Sequence, residues 1–470
     1  MKQHAPMAQP LRLLLICLLL KLAFANPSQA DQPKPGPLNV ILIMADDLGY
    51  GDLSCYGSDS IRTPVLDQLA RQGVRLTNFY AGCTVCTPSR MALLTGSYPA
   101  RVGWRGGVVG YGIKTFNGLA PEVTTLAERF QTAGYKTALI GKWHLGDSAE
   151  LSPQQQGFET TFYLNKSNNQ TKQLWQGNTL VADPFDNRLL TEQFADQAIR
   201  FITQHRQQPF FLYLPLTAPH FPAQSHPQWK GKSKRDAYGD VVEELDHRVG
   251  QLLETLERNA LSERTIVVFL SDNGVEPGQK QWASAKPYRG LKWSALEGGN
   301  RVPCIIRWPG KIPPNQTSDL LSAAIDLFPT LARACDIELP ANPNASTRID
   351  GVDLLPALTK QDGKQTPRSW LLLWHGWGTL QAIRTGRWKL YVDEVKEIPQ
   401  SNKGPVLIDL DNDPKEQTDV SKQHPEQVAA MLAEAQKQLA DIQASEQTLG
   451  GRDLAKIRVP TPPKWLPSNH

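Results

Sequence analysis

The chain alternates short apolar runs rich in β-branched residues with amphipathic segments of helical period, and this alternation most constrains its fold. Runs that are apolar throughout predict strands buried on both faces, and the amphipathic segments predict helices that cover those faces. We therefore expect an α/β fold with a mixed, largely parallel sheet sandwiched by helices. The predicted strands are 39–45, 136–141, 209–216, 265–271 and 302–308, and the longest predicted helix is 240–259.

The alternation stops beyond about Pro356, where the pattern changes to that of an antiparallel sheet. The stretches SWLLLWHGW, LQAIRTGRWKLYVD and PVLIDLD predict antiparallel strands, and PEQVAAMLAEAQKQLADIQ predicts a closing amphipathic helix. The Pro-rich stretch after it predicts an extended tail. We therefore predict a large domain at 36–358, a small α+β C-terminal subdomain at 366–450 and a tail at 451–470.

The N-terminus has the features of a secretory signal peptide, which we predict at 1–30. Lys2 and Arg12 precede the apolar stretch LLLICLLL, and cleavage is expected near Ala25 or Ala30. An uncleaved membrane anchor is the alternative, but the apolar stretch is short and Lys21 interrupts it. We therefore expect an exported protein, periplasmic or secreted, that is not attached to a membrane after cleavage.

Charge and cysteine content narrow the classes of function. The 50 Lys and Arg residues against 46 Asp and Glu give a formal net charge of +4, and they are dispersed. We therefore expect no nucleic-acid partner, whereas an anionic substrate is compatible with this charge. Of six cysteines, Cys17 leaves with the signal peptide, and the number that remains is odd for an oxidising compartment. Cys304 and Cys335 have the apolar contexts of core residues.

Polar residues with chemical capability follow several predicted strands. In open α/β sheets, ligands bind beyond the carboxyl ends of the strands, so residues at these positions are expected to meet at one edge. The residues are Asp46, Asp47, Lys142, His144, His220, Asp272 and Asn273.

The acidic members of this set predict a metal site. Asp46, Asp47, Asp272 and Asn273 offer hard oxygen ligands, and carboxylates brought close together repel one another unless a cation lies between them. Oxygen ligands favour Ca²⁺ or Mg²⁺ over Zn²⁺. Helix capping and turn formation are the alternative interpretation of each residue alone. Their joint position after two buried runs favours the metal site.

The remaining polar residues suit catalysis on an anion. His144 and His220 are candidates for general acid or base, and Arg90, Lys142 and Lys292 are candidates for holding an anionic group. A structural role is the alternative for each histidine, but both follow apolar strands at the same predicted edge.

The stretch CTVCTPSRMALL places Cys86 just before a helix that Pro88 opens in its first turn. A helix start presents unpaired N–H groups and the positive end of the helix dipole, which attract anions and favour a thiolate. From the residues alone, Cys86 is a reactive thiol, a buried structural cysteine or a residue with another fate.

Several motifs together identify a family that the sequence resembles. They are CTPSRMALLTG (86–96), GYKTALIGKWHLG (134–146), NVILIMADDLGYGDLSCYG (39–57), TAPH (217–220), SDNG (271–274) and RGLKWSALEGGNRVP (289–303). With these motifs the chain resembles the type I formylglycine-dependent sulfatases of the alkaline-phosphatase-like superfamily. The first motif is the most specific, because Cys-x-Pro-x-Arg followed by Leu-Thr-Gly directs oxidation of its cysteine to Cα-formylglycine in that family.

The resemblance implies an alkaline-phosphatase-like catalytic domain, a sulfuric ester hydrolase activity and a role for each matching residue. Arg90 matches the residue that steadies the formylglycine hydrate made from Cys86. Lys142, His220 and Lys292 match residues that hold the sulfate, with His220 as general acid, and His144 matches the residue that assists expulsion of sulfate. The positions that match the family's metal ligands, usually for Ca²⁺ and less often Mg²⁺, are Asp46, Asp47, Asp272, Asn273 and residue 86.

The resemblance also implies the partners of the chain, which are a formylglycine-generating maturation enzyme and a sulfated carbohydrate or aryl sulfate substrate. Ser167 falls where related enzymes have a substrate-contacting residue, although the segment YLNKSNNQ differs from the sequence that is more common in the family. Trp282, Trp293, Trp374, Trp377 and His375 are candidate sugar contacts. For Trp374 and Trp377, burial in the core is the favoured interpretation.

Two other functions remain open at this point. A phosphodiester or phosphonate monoester hydrolase of the same superfamily would use similar chemistry on a different anion. A catalytically inactive glycan-binding relative is an alternative from a different class, but a binding module does not need all of these polar residues.

Overall fold

A computed structural model of the chain describes residues 1–2, 36–111, 118–340, 348–359, 368–393, 395, 397–399 and 404–446. Nearly all of the predicted signal peptide, most of the polar stretch before the C-terminal subdomain and the whole predicted tail therefore lie outside the described residues. The domain bounds 36–358 and 366–450 stay a prediction.

The described strands carry the predicted buried runs. They are β1 Asn39–Ala45, β2 Val74–Leu76, β3 Phe79–Tyr80, β4 Lys136–Lys142, β5 Thr160–Leu164, β6 Leu174–Gln176, β7 Thr179–Ala182, β8 Phe210–Pro215, β9 Thr265–Ser271, β10 Cys304–Arg307, β11 Gln316–Ser318, β12 Ser322–Ala323, β13 Leu371–Trp374, β14 Leu380–Thr385, β15 Trp388–Tyr391 and β16 Val406–Asp409.

The described α-helices include every predicted amphipathic segment. They are α1 Pro64–Arg71, α2 Cys86–Thr95, α3 Leu126–Thr132, α4 Leu190–Gln204, α5 Asp236–Arg258, α6 Glu297–Asn300, α7 Leu327–Ala334, α8 Leu355–Thr359 and α9 Pro425–Ala444. Among the described residues, no helix combines the length and the apolar character that crossing a bilayer requires.

The large sheet is mixed and mostly parallel at its centre, which confirms the predicted fold class. Its strand order is β11-β2-β10-β9-β1-β8-β4-β5-β6-β7. Strand β1 pairs in parallel with β8 on one side and with β9 on the other, and β4 extends the parallel part. Strand β10, which lies within the predicted run 302–308, is antiparallel to both of its neighbours.

Successive side chains of β1 enter cores on opposite faces of the sheet, as the two-residue period of a strand requires. Val40, Leu42 and Met44 belong to one apolar core, and Ile41 and Ile43 belong to the other. Because β1 is buried on both faces, its sequence is apolar without interruption, and its polar groups appear only after it ends.

The C-terminal part forms the predicted antiparallel sheet, with strand order β13-β14-β15-β16 and with α9 as the closing helix. Leu372, Leu390 and Leu407 of this sheet lie in the same apolar core as Val40. The small sheet therefore packs on one face of the large sheet.

Candidate active site

The acidic residues meet because two parallel strands end at the same level. In the pairing of β1 with β9, Ala45 lies opposite Ser271, so Asp46 and Asp47 emerge beside Asp272 and Asn273. The Asp47 N–H donates to Asp272 Oδ1 over 3.1 Å. All four side chains are fully buried, and the pairing of the two strands brings them to the same edge of the sheet.

Cys86 is the first residue of α2, so it lies within the first turn of the helix, where the sequence had placed it just outside. Its Sγ lies 3.6 Å from Asp46 Oδ1. Burial raises the pKa of the thiol to about 12, even though Lys142 and Lys292 act to lower it. At neutral pH the residue is therefore a thiol, which is a poorer nucleophile than a thiolate.

Each of the three buried carboxylates has a buried cation as its partner. Lys142 Nζ lies 2.6 Å from Asp46 Oδ2, and Lys292 Nζ lies 2.9 Å from Asp47 Oδ1. The guanidinium of Arg90 donates two hydrogen bonds, of 3.1 and 2.8 Å, to Asp272 Oδ2.

Arg90 also donates over 2.9 Å to the carbonyl of Lys142, which ties α2 to β4. The formal charges of the three pairs cancel, which offsets the large free-energy cost of burying each ion alone.

The pKa values of these carboxylates diverge because their surroundings differ. Burial would raise the pKa of Asp46, but Lys142 and the neighbouring cationic groups lower it below the ordinary value. Burial and the charge of Asp46 raise the pKa of Asp272 to about 7, despite its contact with Arg90. Burial likewise raises the pKa of Asp47, in opposition to Lys292.

The donor set suits a hard divalent cation. Asn273 donates from Nδ2 to Asp47 Oδ1 over 2.7 Å, while its own buried Oδ1 accepts no hydrogen bond from the part of the chain that the structure describes. A buried oxygen without a donor beside three carboxylates is the arrangement that Ca²⁺ or Mg²⁺ would satisfy. Potential ligand atoms of Asp46, Asp47, Cys86 and His220 lie within 4.8 Å of one another.

His220, which follows β8, also lies next to the acidic cluster. Its Nε2 is 3.5 Å from Asp47 Oδ2, and its Nδ1 is 2.7 Å from the carbonyl of Phe221 and 3.1 Å from Asn168 Oδ1. Because a carbonyl only accepts, we assign the ring proton to Nδ1. Burial lowers the pKa of His220 to about 3, so the ring is neutral with the lone pair on Nε2.

His144 has the opposite arrangement of its ring nitrogens. Its Nε2 is 3.0 Å from the carbonyl of Val109 and carries the proton, whereas its buried Nδ1 has no hydrogen-bond partner among the described residues. Burial and the cations Lys142 and Arg90 lower the pKa of His144 far below its ordinary value. The lone pair of Nδ1 therefore has no donor among the described residues, and the ring is neutral.

Three of the eight described non-glycine residues with positive φ lie at the site. Asp47, His144 and Trp293 have φ values of +67°, +57° and +73°, in the left-handed region that side chains other than glycine rarely adopt. Such strain persists where the surrounding structure imposes it, and it is typical of functional sites.

A pocket of about 450 Å³ opens onto these groups. Five of the predicted catalytic and substrate-binding residues line it, namely Cys86, His144, Ser167, His220 and Lys292. Arg90 and Lys142 lie behind them, fully buried.

Sequence reasoning missed two polar residues of this region. Asn168 orients His220, and Glu276 lines the pocket with Oε2 3.0 Å from Lys292 Nζ. Their positions next to Ser167 and two residues after SDNG were the only signals in the sequence.

Comparisons with known proteins agree with this geometry. A family model described as Sulfatase matches residues 38–337, and one described as N-sulphoglucosamine sulphohydrolase, C-terminal, matches residues 292–445. The chain is 31% identical to a steryl-sulfatase of Mus musculus, over 95% of this chain and 90% of that protein. It is 32% identical to an N-acetylgalactosamine-6-O-sulfatase of Bacteroides thetaiotaomicron, over 83% of this chain and 91% of that protein.

A solved structure from a study of glycosaminoglycan metabolism by Bacteroides thetaiotaomicron has a TM-score of 0.76 and 29% identity, and it covers 86% of this chain and 99% of its own. The sheet and the buried site thus define a hydrolase of the alkaline-phosphatase-like superfamily. Within that superfamily, the chain belongs to the sulfatase family as a type I sulfatase, a sulfuric ester hydrolase. The fold class and the enzyme class predicted from the motifs are confirmed.

Proposed function

We propose that this sulfatase releases inorganic sulfate from a sulfated sugar, with Cys86 converted to Cα-formylglycine and a Ca²⁺ ion bound beside it. The observation that carries the proposal is the position of Cys86, buried in the first turn of α2 with its Sγ 3.6 Å from Asp46 Oδ1 and within 4.8 Å of potential ligand atoms of Asp47 and His220. Residue 86 therefore lies where a nucleophile would contact both the ion and the substrate.

The residues that would hold the ion are Asp46, Asp47, Asp272, Asn273 and residue 86. Potential ligand atoms of Asp46, Asp47 and Cys86 lie within 4.8 Å of one another, and Asp272 and Asn273 follow the paired strand β9 at the same level. Their carboxylates are already matched by three cations, so a divalent ion would leave the site with a net positive charge. That charge complements an anionic sulfate ester. We favour Ca²⁺ over Mg²⁺ because a set rich in carboxylates suits the larger ion with its more flexible coordination.

When both groups are present, the formylglycine hydrate supplies an oxygen nucleophile that the ion helps to ionise. Lys142 and Lys292 are within hydrogen-bond distance of the carboxylates now, and in the enzyme with substrate they would bind sulfate oxygens. Arg90 holds Asp272 in place and contributes positive charge to the cluster.

His220 and His144 would handle the two proton transfers. The structure without substrate has a neutral His220 whose Nε2 faces the site, and a bound sulfate would raise its pKa and favour a proton there. That proton passes to the leaving alcohol. His144 would accept at Nδ1 the proton of the remaining hydroxyl group as sulfate leaves, and a bound sulfate would raise the low pKa of this ring in the same way.

The substrate, the export and the maturation of the enzyme are inferred from the sequence and from its relatives. The relatives named above include an N-acetylgalactosamine-6-O-sulfatase, which supports a sulfated sugar as substrate, with Ser167 in the pocket as a contact. The predicted signal peptide supports export to the periplasm or the medium. The conversion of Cys86 requires a maturation enzyme in the host.

The test is a mass measurement of the peptide that contains Cys86, taken from active enzyme, together with sulfate release from an aryl sulfate and from a panel of sulfated sugars. We expect the mass of formylglycine and we expect release to be lost in Cys86→Ala, with circular dichroism unchanged. An unmodified thiol in active enzyme would refute formylglycine. Faster hydrolysis of a phosphodiester or a phosphonate monoester than of any sulfate ester would refute the substrate class.

A further inference from the structure

Exposed aromatic surface is concentrated at the mouth of the active-site pocket. Among the described residues, the three most exposed aromatic side chains are Tyr111, Phe221 and Trp377, at 59%, 55% and 45%. Tyr111, Phe221 and Trp293 line the pocket. Trp377 stacks on Trp293, with ring centroids 4.7 Å apart and an interplanar angle of 28°. Exposed apolar groups gathered in one place mark a binding surface.

Trp377 corrects the sequence interpretation, which favoured burial for both Trp374 and Trp377. Trp374 is buried at 3%, as interpreted, but Trp377 projects outward from the loop between β13 and β14. The apolar pattern could not distinguish the two, because burial of a tryptophan in a loop depends on what the loop packs against.

The aromatic pair is held in place by close backbone packing. A Cβ on Gly376 would lie 2.5 Å from Trp293 Cε3, so only a glycine lets the loop approach the ring this closely. The backbone N–H of Trp293 donates to the carbonyl of Thr84 over 3.0 Å. Tyr111 meets Trp293 edge to face, with centroids 6.2 Å apart. The rings therefore form a preformed platform beside Lys292.

We propose that the exposed ring of Trp377, backed by Trp293 at the edge of the pocket, is a stacking platform for the sugar ring that carries the sulfate, an inference that rests on the proposed sulfatase function. The flat face of an aromatic ring packs against the C–H face of a pyranose, while the hydroxyl groups at its edge need polar partners. Glu276, Gln170 and Asn169 line the same pocket and offer such partners. A steroid skeleton offers these side chains few hydrogen-bonding groups, so the pocket favours a sugar.

Glu276 narrows the class of sugar further. Its carboxylate lies 3.0 Å from Lys292 Nζ, and its side chain is 28% exposed towards the pocket. A carboxylate accepts hydrogen bonds from hydroxyl or amide groups and repels a second anion. Glu276 is thus placed to accept a hydrogen bond from the sugar and to disfavour a second acidic group next to it on that ring.

The platform is tested with the best substrate found in a panel of monosulfated hexoses and N-acetylhexosamines. We expect Trp377→Ala to raise KM for that sugar roughly two- to tenfold, and Trp377→Phe to restore most of the loss. The matched control is Trp282→Ala, since Trp282 is half-buried outside the pocket and donates to Asp236 over 2.8 Å. Calorimetric titration of the same sugar into Cys86→Ala enzyme, with and without Trp377→Ala, measures binding without turnover.

Different results would refute the stacking platform and the sulfatase function. If Trp377→Ala and Trp282→Ala have the same sugar KM and affinity while the enzyme still releases sulfate, the platform is refuted and the sulfatase function stands. If Trp377→Ala impairs a steroid sulfate and not the sugar, the sugar assignment is refuted. Absence of sulfate release from every substrate by wild-type enzyme would refute the function itself. For Glu276→Gln, an unchanged preference for mono- over disulfated sugar would refute the role of its charge.

Discussion

Lys389→Met probes a buried ion network between the small sheet and the main body of the protein. Lys389 Nζ lies 2.8 Å from Glu416 Oε1, 3.0 Å from Glu297 Oε1 and 2.8 Å from the carbonyl of Ala295. The three charged side chains have no exposed surface. Glu297 keeps Arg301 at 3.1 Å, but Lys389 is the only cation that pairs with Glu416 within the described residues.

The expected loss of stability arises because Glu416, unlike Glu297, has no second cation beside it among the described residues. Removing one partner of a buried pair leaves an uncompensated charge, which lowers the free energy of unfolding by about 3–5 kcal/mol. Burial already raises the pKa of Glu416, and Lys389 opposes that rise. Without Lys389 the carboxyl is protonated more readily, so the variant loses less stability at pH 5 than at pH 8.

Urea unfolding followed by tryptophan fluorescence at both pH values measures this loss. Lys437→Met is the control, because that side chain is 72% exposed and its contact with Glu434 at 3.7 Å contributes little. Adding Glu416→Gln to Lys389→Met removes the orphaned charge and should recover part of the stability. A loss below about 1 kcal/mol, or one that is the same at pH 5 and pH 8, would show that the network does not stabilise the fold as we argue.

Three further predictions concern single groups. Burial raises the pKa of Asp52 to about 7 from 3.8, so the folded protein keeps a proton that the unfolded chain loses above pH 4. This group therefore lowers stability by up to about 1.4 kcal/mol per unit as pH rises from about 4 to about 7, and Asp52→Asn should remove that part of the slope in urea titrations; an identical slope would refute the assignment. A chelator should abolish sulfate release and lower Tm, with recovery on adding Ca²⁺, whereas full activity in metal-free enzyme would exclude the ion. His144→Ala should lower kcat by about 10²- to 10⁴-fold at unchanged circular dichroism, and a change confined to KM would contradict its role as proton acceptor.

Much of the site could be predicted from the sequence because its residues follow buried strands. The uninterrupted apolar runs of β1 and β9 locate two strands, and the residues after Ala45 and Ser271 must then meet if those strands are parallel neighbours. The apolar pattern alone shows where each of these strands ends, whatever residues the strand contacts in the folded chain.

Other features depend on contacts between distant parts of the chain. Lys389 lies in a strand with an ordinary alternating pattern, yet its partners come from positions 297 and 416. Asn168 acquires its role only because a loop brings it 3.1 Å from His220 Nδ1. Local patterns record which face of an element is apolar, but they do not record which polar groups it will meet.

The depth of residue 86 imposes an order of events on biosynthesis. Only 2% of the Cys86 surface is accessible in the folded chain, and α2 is wholly buried around it. An enzyme that oxidises this cysteine must reach it while the segment is still extended, so under the proposed function maturation competes with folding. A chain that folds before oxidation keeps a stable fold and an unreactive thiol. The fraction of active enzyme in a preparation then depends on the rate of oxidation relative to the rate of folding.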